Sequence, residues 1–120
     1  MQAGIAAALR AEDGLASTAP LFGANFEQLA RSLRAHTPVR SICKAQGGYF
    51  LVAETDGRSD VDFCQALAAA KGVVATPMSA FYTTPFAEHE PCRLVRFTVC
   101  KSRELVQRAC DALAGGGAMV

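Results

Sequence analysis

The decapeptide from Cys92 to Lys101, CRLVRFTVCK, restricts the fold more than any other stretch of the chain. Alternation sends Val95, Phe97 and Val99 to one side of a strand and Leu94, Arg96, Thr98 and Cys100 to the other. The first side is wholly apolar and requires a core. Arg96 interrupts the second, between residues that could themselves be buried. A guanidinium is a rigid planar fork of donors, matched to a carboxylate or phosphate in two-point contact. An arginine on the solvent side of a half-buried strand fits the same alternation. The neighbours of the strand discriminate between the two readings.

A chain of 120 residues with 51% hydrophobic and 19% charged content has the size and composition of one compact domain, small for a complete metabolic enzyme. Twelve basic residues against eleven acidic leave a net charge of +1, without runs of like charge. That balance points away from nucleic acid and from anionic membranes as partners. No apolar run reaches bilayer-spanning length. Residues 1–9 are alanine-rich with no basic residue ahead of the apolar part, which argues against a secretory signal. The five cysteines (Cys43, Cys64, Cys92, Cys100 and Cys110) form no CxxC pair and share no ligand spacing with His36 or His89. They read as reduced core thiols, no metal site is implied, and a cytoplasmic protein is expected, with an organelle as the alternative.

Residues 2–11 have helix-forming composition, with Ile5 and Leu9 four apart; Asp13-Gly14 and residues 17–20 then break the pattern. Phe22, Phe26, Leu29 and Leu33 mark the stripe of a second helix, expected from Leu21 to near Arg34 because Thr37-Pro38 disfavours continuation. Two short strands, residues 39–44 and 49–53, flank Gly47-Gly48 as a hairpin. The second is almost continuously apolar, so cover on both faces is expected. Ser59 followed by Asp60 and Asp62 reads as a helix start, with Phe63 and Leu67 inward and Gly72 as the stop. Residues 73–76 form a strand that Pro77 ends. Residues 78–91 form a long connection carrying Ser79, Phe81, Tyr82, Phe86 and His89, either a binding element or a plug for the edge of the core. Ser102 caps a last helix, with Leu105, Ala109 and Leu113 on one face, and Gly115-Gly116-Gly117 ends it. The expected fold is α/β (α+β), a mixed sheet of about four strands packed with helices. Its expected core holds Phe22, Phe26, Leu29, Leu33, Leu51, Phe63, Leu67, Val74, Phe97, Val99, Leu105 and Leu113.

Three ordered segments, QGGYFLVA at 46–53, KGVVATPMSAFY at 71–82 and LVRFTVCK at 94–101, resemble the C-terminal small domain of class I/II pyridoxal-phosphate aminotransferases of fold type I. The branch most similar is that of the kynurenine–oxoglutarate and methionine (glutamine) transaminases. The resemblance implies residues 1–20 as a helical lead-in, 21–114 as the small domain and 115–120 as a glycine-rich tail. It also implies that Arg96 binds the α-carboxylate of an amino acid or 2-oxo acid and that Phe50 borders that pocket. Gly48, Ser79, Phe81 and Tyr82 are pocket neighbours by the same token. Pyridoxal 5'-phosphate is the implied cofactor and a homodimer the implied assembly of a full-length enzyme. The family's cofactor lysine has no counterpart: Lys44, Lys71 and Lys101 all lie in other contexts. The chain is therefore expected to carry the substrate-carboxylate part of a site and, alone, no transaminase activity. The alternative is a stand-alone, non-catalytic α/β module for ligand binding or dimerisation.

Overall fold

A computed structural model describes residues 2–10, 16–43, 45–87 and 90–119. Lys44, His89 and the expected turn at Asp13-Gly14 lie outside the described residues. Among the described residues, helices α1 (Gln2–Arg10), α2 (Thr18–His36), α3 (Asp60–Lys71) and α4 (Arg103–Gly115) accompany strands β1 (Ser41–Ile42), β2 (Phe50–Glu54), β3 (Thr76–Pro77) and β4 (Leu94–Thr98). A single 3₁₀ turn, Met78–Phe81, follows β3 directly. The four strands make one sheet in the order β1-β2-β4-β3. Every neighbouring pair is antiparallel, so no parallel pair is mixed into the expected α/β fold.

Local chemistry explains the element boundaries. Helix α2 starts at Thr18, earlier than the expected Leu21, because Pro20 sits in the first turn, where a missing N–H costs nothing. It ends at His36, and the Thr37 N–H and hydroxyl both return to the Leu33 carbonyl, at 3.0 and 2.7 Å. Ser59 and Asp62 cap α3 reciprocally: the Ser59 Oγ accepts from the Asp62 N–H at 3.1 Å and donates to its carboxylate at 2.7 Å. Gly72 closes the helix at φ 66°, a left-handed conformation that glycine adopts without strain.

The core lies on one side of the sheet. Leu51 and Ala53 of β2 face Phe97 and Val95 of β4 in register, and all four are buried against Leu29 and Leu33 of α2, Phe63 and Leu67 of α3, and Val106 and Leu113 of α4. Phe22 and Phe26 pack at the margin, half-buried. Three expectations are corrected. Strand β2 is covered on one face only; Phe50, Val52 and Glu54 on the other are half-exposed, since a continuous apolar run does not say which covering layer its own chain supplies. Val74 is 81% exposed, while Val73 and Ala75 are buried. The left-handed turn at Gly72 sets the phase of that extended segment, and only Thr76 and Pro77 pair as strand. Leu105 is also exposed; α4 buries Val106, Cys110 and Leu113, the stripe one residue round the cylinder. The five thiols are free, with Cys92 and Cys110 buried, Cys64 half-buried, and Cys43 and Cys100 exposed rather than in the core. Burial, with the charge of Asp60 adding, pushes the Cys64 thiol up to about 11. No described helix is long and apolar enough to cross a membrane.

Two polar devices fasten the ends of the fold. Asn25 of α2 is fully buried and its Nδ2 donates to the carbonyls of Val99 and Lys101 at 3.0 and 2.8 Å, pinning the chain just past β4 to the helix. The tail returns along the end of α3: the Gly117 N–H meets the Ala70 carbonyl at 2.9 Å, and Lys71 Nζ donates to the Gly116 carbonyl at 3.1 Å. A Cβ on Gly116 would stand 2.6 Å from that Ala70 oxygen and 2.9 Å from the Lys71 Cα.

Two outcomes follow. Asn25→Ala removes two donors and should cost about 1–2 kcal/mol in urea unfolding. Asn25→Asp should cost more, because an ionised carboxylate would face two carbonyls with no proton to offer; equal midpoints for the two variants would reject the clasp. Gly116→Ala should release the tail, costing about 1–3 kcal/mol if the contact is kept under strain. Amide exchange at Gly117 should rise in that variant, and a Gly117 amide protected as before would show that the contact does not hold the tail.

Candidate functional site: an arginine between two rings on the open face

The face of the sheet opposite the core carries Arg96. Its Cα lies opposite Val52 of β2 and Thr76 of β3, which places the residue on a central strand with neighbours on both sides. Phe50 is diagonal to it across the β2–β4 pair, within reach of a long side chain. The 3₁₀ turn that follows β3 brings Phe81 to the same spot. The guanidinium carbon stands 4.0 Å from the Phe50 ring centroid and 4.2 Å from that of Phe81. Each such contact is worth about 0.5–2 kcal/mol, more as water is excluded.

Arg96 is half-buried, and among the described residues no carboxylate pairs with it and no acceptor meets its N–H groups. Two arginines, Arg58 and Arg40, are paired: Arg58 Nε lies 3.1 Å from Asp56 and its Nη2 donates to the Met119 carbonyl, while Arg40 lies 3.9 Å from Glu54. Arg93, the neighbour on the opposite side of the chain, is exposed. The ring contacts engage the charge of Arg96 and leave its fork of donors free. Chemically this is a seat for a planar anion.

Of the other expected neighbours, Gly48 adopts φ 82° in the turn before β2, where only a glycine is unstrained, and Tyr49 beyond it packs its ring 4.4 Å from Phe50. Ser79 lies in the 3₁₀ turn, two residues before Phe81. Tyr82 turns instead to Phe86, edge to face at 4.9 Å, and has no ring contact with Arg96. Arg96, Phe50 and Phe81 are thus brought together, Ser79 and Gly48 shape the two segments that deliver the rings, and Tyr82 stands apart.

Asp60 was legible in the sequence only as acid in the first turn of α3. It is 2% exposed, and its Oδ1 accepts from the Val61 N–H at 2.9 Å and its Oδ2 from the Ser79 N–H at 2.7 Å. Its own N–H donates to the Cys92 carbonyl at 2.8 Å. The signal available was redundancy: Ser59 and Asp62 complete the cap, so a second acid at position 60 is surplus to it. Burial, and to a lesser degree the nearby Asp60 carboxylate, push the Cys92 thiol up.

The described residues do not fit pyridoxal phosphate. Lys71 is engaged with the Gly116 carbonyl, and Lys101 lines a groove with Leu105 and Arg108 whose lining does not include Phe50 or Phe81. Among the described residues no group of three or more His, Cys, Asp or Glu could hold a metal ion.

Comparison with known proteins gives the same frame. The family description "Aminotransferase class I and II" matches residues 1–113. The methionine aminotransferase of Escherichia coli (strain K12) is 35% identical over 75 residues, 60% of this chain and 18% of that one. Among solved structures, N-succinyldiaminopimelate aminotransferase from Mycobacterium tuberculosis superposes with a TM-score of 0.73 at 34% identity, over 94% of this chain and 29% of its own. Escherichia coli YbdL, identified as having a methionine aminotransferase function, gives 0.61 at 29% identity, over 77% and 23%. This chain therefore spans less than a third of the length of each of these relatives. With a family match across nearly its whole length and the fold of these enzymes, the chain belongs to the class I and II aminotransferases.

Proposed function

We propose that this chain is the part of an aminotransferase that recognises the substrate's α-carboxylate, with Arg96 as the fork that grips it. One observation carries the reading: a half-buried guanidinium on a central strand, braced by Phe50 and Phe81, whose donors meet no acceptor among the described residues. An unpaired charge held partly out of water is costly, and an incoming carboxylate relieves that cost. The substrate is an amino acid and its 2-oxo acid partner, of the kynurenine or methionine type that the sequence motifs and the methionine aminotransferase likeness support. Pyridoxal phosphate and the lysine that binds it belong to other parts of the enzyme, so the chain alone has no transaminase activity. The complete enzyme is a cytoplasmic homodimer. The half-exposed face of β2 and β4 is the surface against which those other parts close.

The test is Arg96→Lys in the assembled holoenzyme carrying this chain. A point charge replaces the planar fork, and one of two parallel charge-assisted hydrogen bonds is lost. A loss of about 1.5–3 kcal/mol is expected, or about one to two orders of magnitude in kcat/KM. Arg93→Lys should leave kcat/KM within about twofold, as an exposed substitution does. Equal effects at the two arginines would remove Arg96 from the carboxylate site.

A further inference from the structure

Residues 78–91 carry Phe81 to the guanidinium, yet the segment is thinly fastened. Residues 80–87 are exposed, and Phe81 itself is 52% exposed. Its own hydrogen bonds are local: the Tyr82 N–H returns to the Ser79 carbonyl and the Glu90 N–H to the Ala87 carbonyl. Just beyond the β3–β4 pairing, which ends with Pro77 opposite Val95, the Ser79 N–H donates to Asp60 Oδ2 at 2.7 Å and ties the 3₁₀ turn to the start of α3. Phe81 lies two residues further along the same 3₁₀ turn, so the position of the Ser79 amide sets the position of the ring.

We infer that Asp60 is a positioning residue for the Arg96 fork, holding through the Ser79 amide the turn that lays Phe81 on the guanidinium. The inference rests on the reading of Arg96 as the carboxylate fork. Two features single out the carboxylate, and a third belongs to the main chain of the same residue. Its place at the start of α3 sets a buried carboxylate where the helix amides favour negative charge. Both oxygens are used, one by the helix and one by the turn. Its main-chain N–H meanwhile holds Cys92, four residues before Arg96 on the way into β4. One residue thus fixes both the turn that brings the ring and the start of the strand that brings the arginine. An asparagine could satisfy one of the two amides with its oxygen but would present N–H groups to the other.

The experiment uses the holoenzyme carrying this chain, with L-methionine as amino donor. Asp60→Asn should raise KM about tenfold and leave kcat within about twofold, as the loss of one charge-assisted bond feeding ground-state and transition-state binding alike would do. In a Phe81→Leu background the same substitution should add less than about twofold, because both changes remove one coupled contact. An unchanged KM for Asp60→Asn, or a full tenfold addition in the Phe81→Leu background, overturns the inference. If Asp60→Asn does not fold, Asp60→Ser takes its place, since a hydroxyl can serve the helix amide but is too short to reach Ser79. Failure of both variants to fold assigns the carboxylate to the fold alone and also overturns it. Arg96→Lys is measured alongside: if it leaves KM unchanged, the carboxylate-fork reading itself has failed. If it raises KM while a folded Asp60 variant does not, only the role of Asp60 is lost.

Discussion

The antiparallel pairing of β2 with β4 is the contact on which the rest of this structure depends. Leu51 stands opposite Phe97 and Ala53 opposite Val95, which fixes the register to the residue. A slip by one would turn the buried set outward and send Arg96 into the core, at a cost no ion pair in the chain could meet. With the register held, α2, α3 and α4 have a single apolar face to pack on. Asn25 extends the same constraint beyond the strand by holding the carbonyls of Val99 and Lys101.

The same alternation that makes the core also makes the site. Arg96 lies on the open face because Val95 and Phe97 lie on the other, and its strand neighbours Val52 and Thr76 offer it no charge. Aromatic rings in place of a carboxylate partner have a distinct physical consequence. An acidic partner would neutralise the guanidinium and occupy its fork, as Asp56 does for Arg58. Ring faces attract the cation, exclude water from its plane and leave the N–H groups free for a ligand. The pairing of Arg58 and the bracing of Arg96 are thus two settings of one side chain, distinguished by what surrounds them.

The arginine stands on the open face of the sheet, in a chain that spans 18% of its methionine aminotransferase relative. The stiff elements carry the charge and one ring; the second ring arrives on the loosely held segment after β3. Rigidity on one side and an exposed, lightly fastened segment on the other is a workable division of labour. The strand keeps the guanidinium in place, while the exposed turn leaves its ring freer to adjust.

Much of this was determined by the sequence itself. The alternation of residues 94–99, the cap at Ser59 and Asp62, the stop at Gly72 and the stripe of Leu29 and Leu33 are local patterns, and local backbone geometry enforces each of them. The place of Arg96 opposite the buried face and the family motifs that include Phe50 belong to the same class. Only the tertiary structure decided what covers each face and which distant segments meet. The open side of β2, the exposure of Val74 and Leu105, and the rotation of the buried stripe on α4 depend on the neighbouring layers, and a run of apolar residues carries no record of them. The meeting of Phe81 with Arg96, and the reach of Asp60 to an amide nineteen residues away, depend on how a turn folds back across the sheet. Periodicity reports the near neighbours of a residue along its own element, whereas a site is made by contacts between elements, and those exist only once the layers have packed.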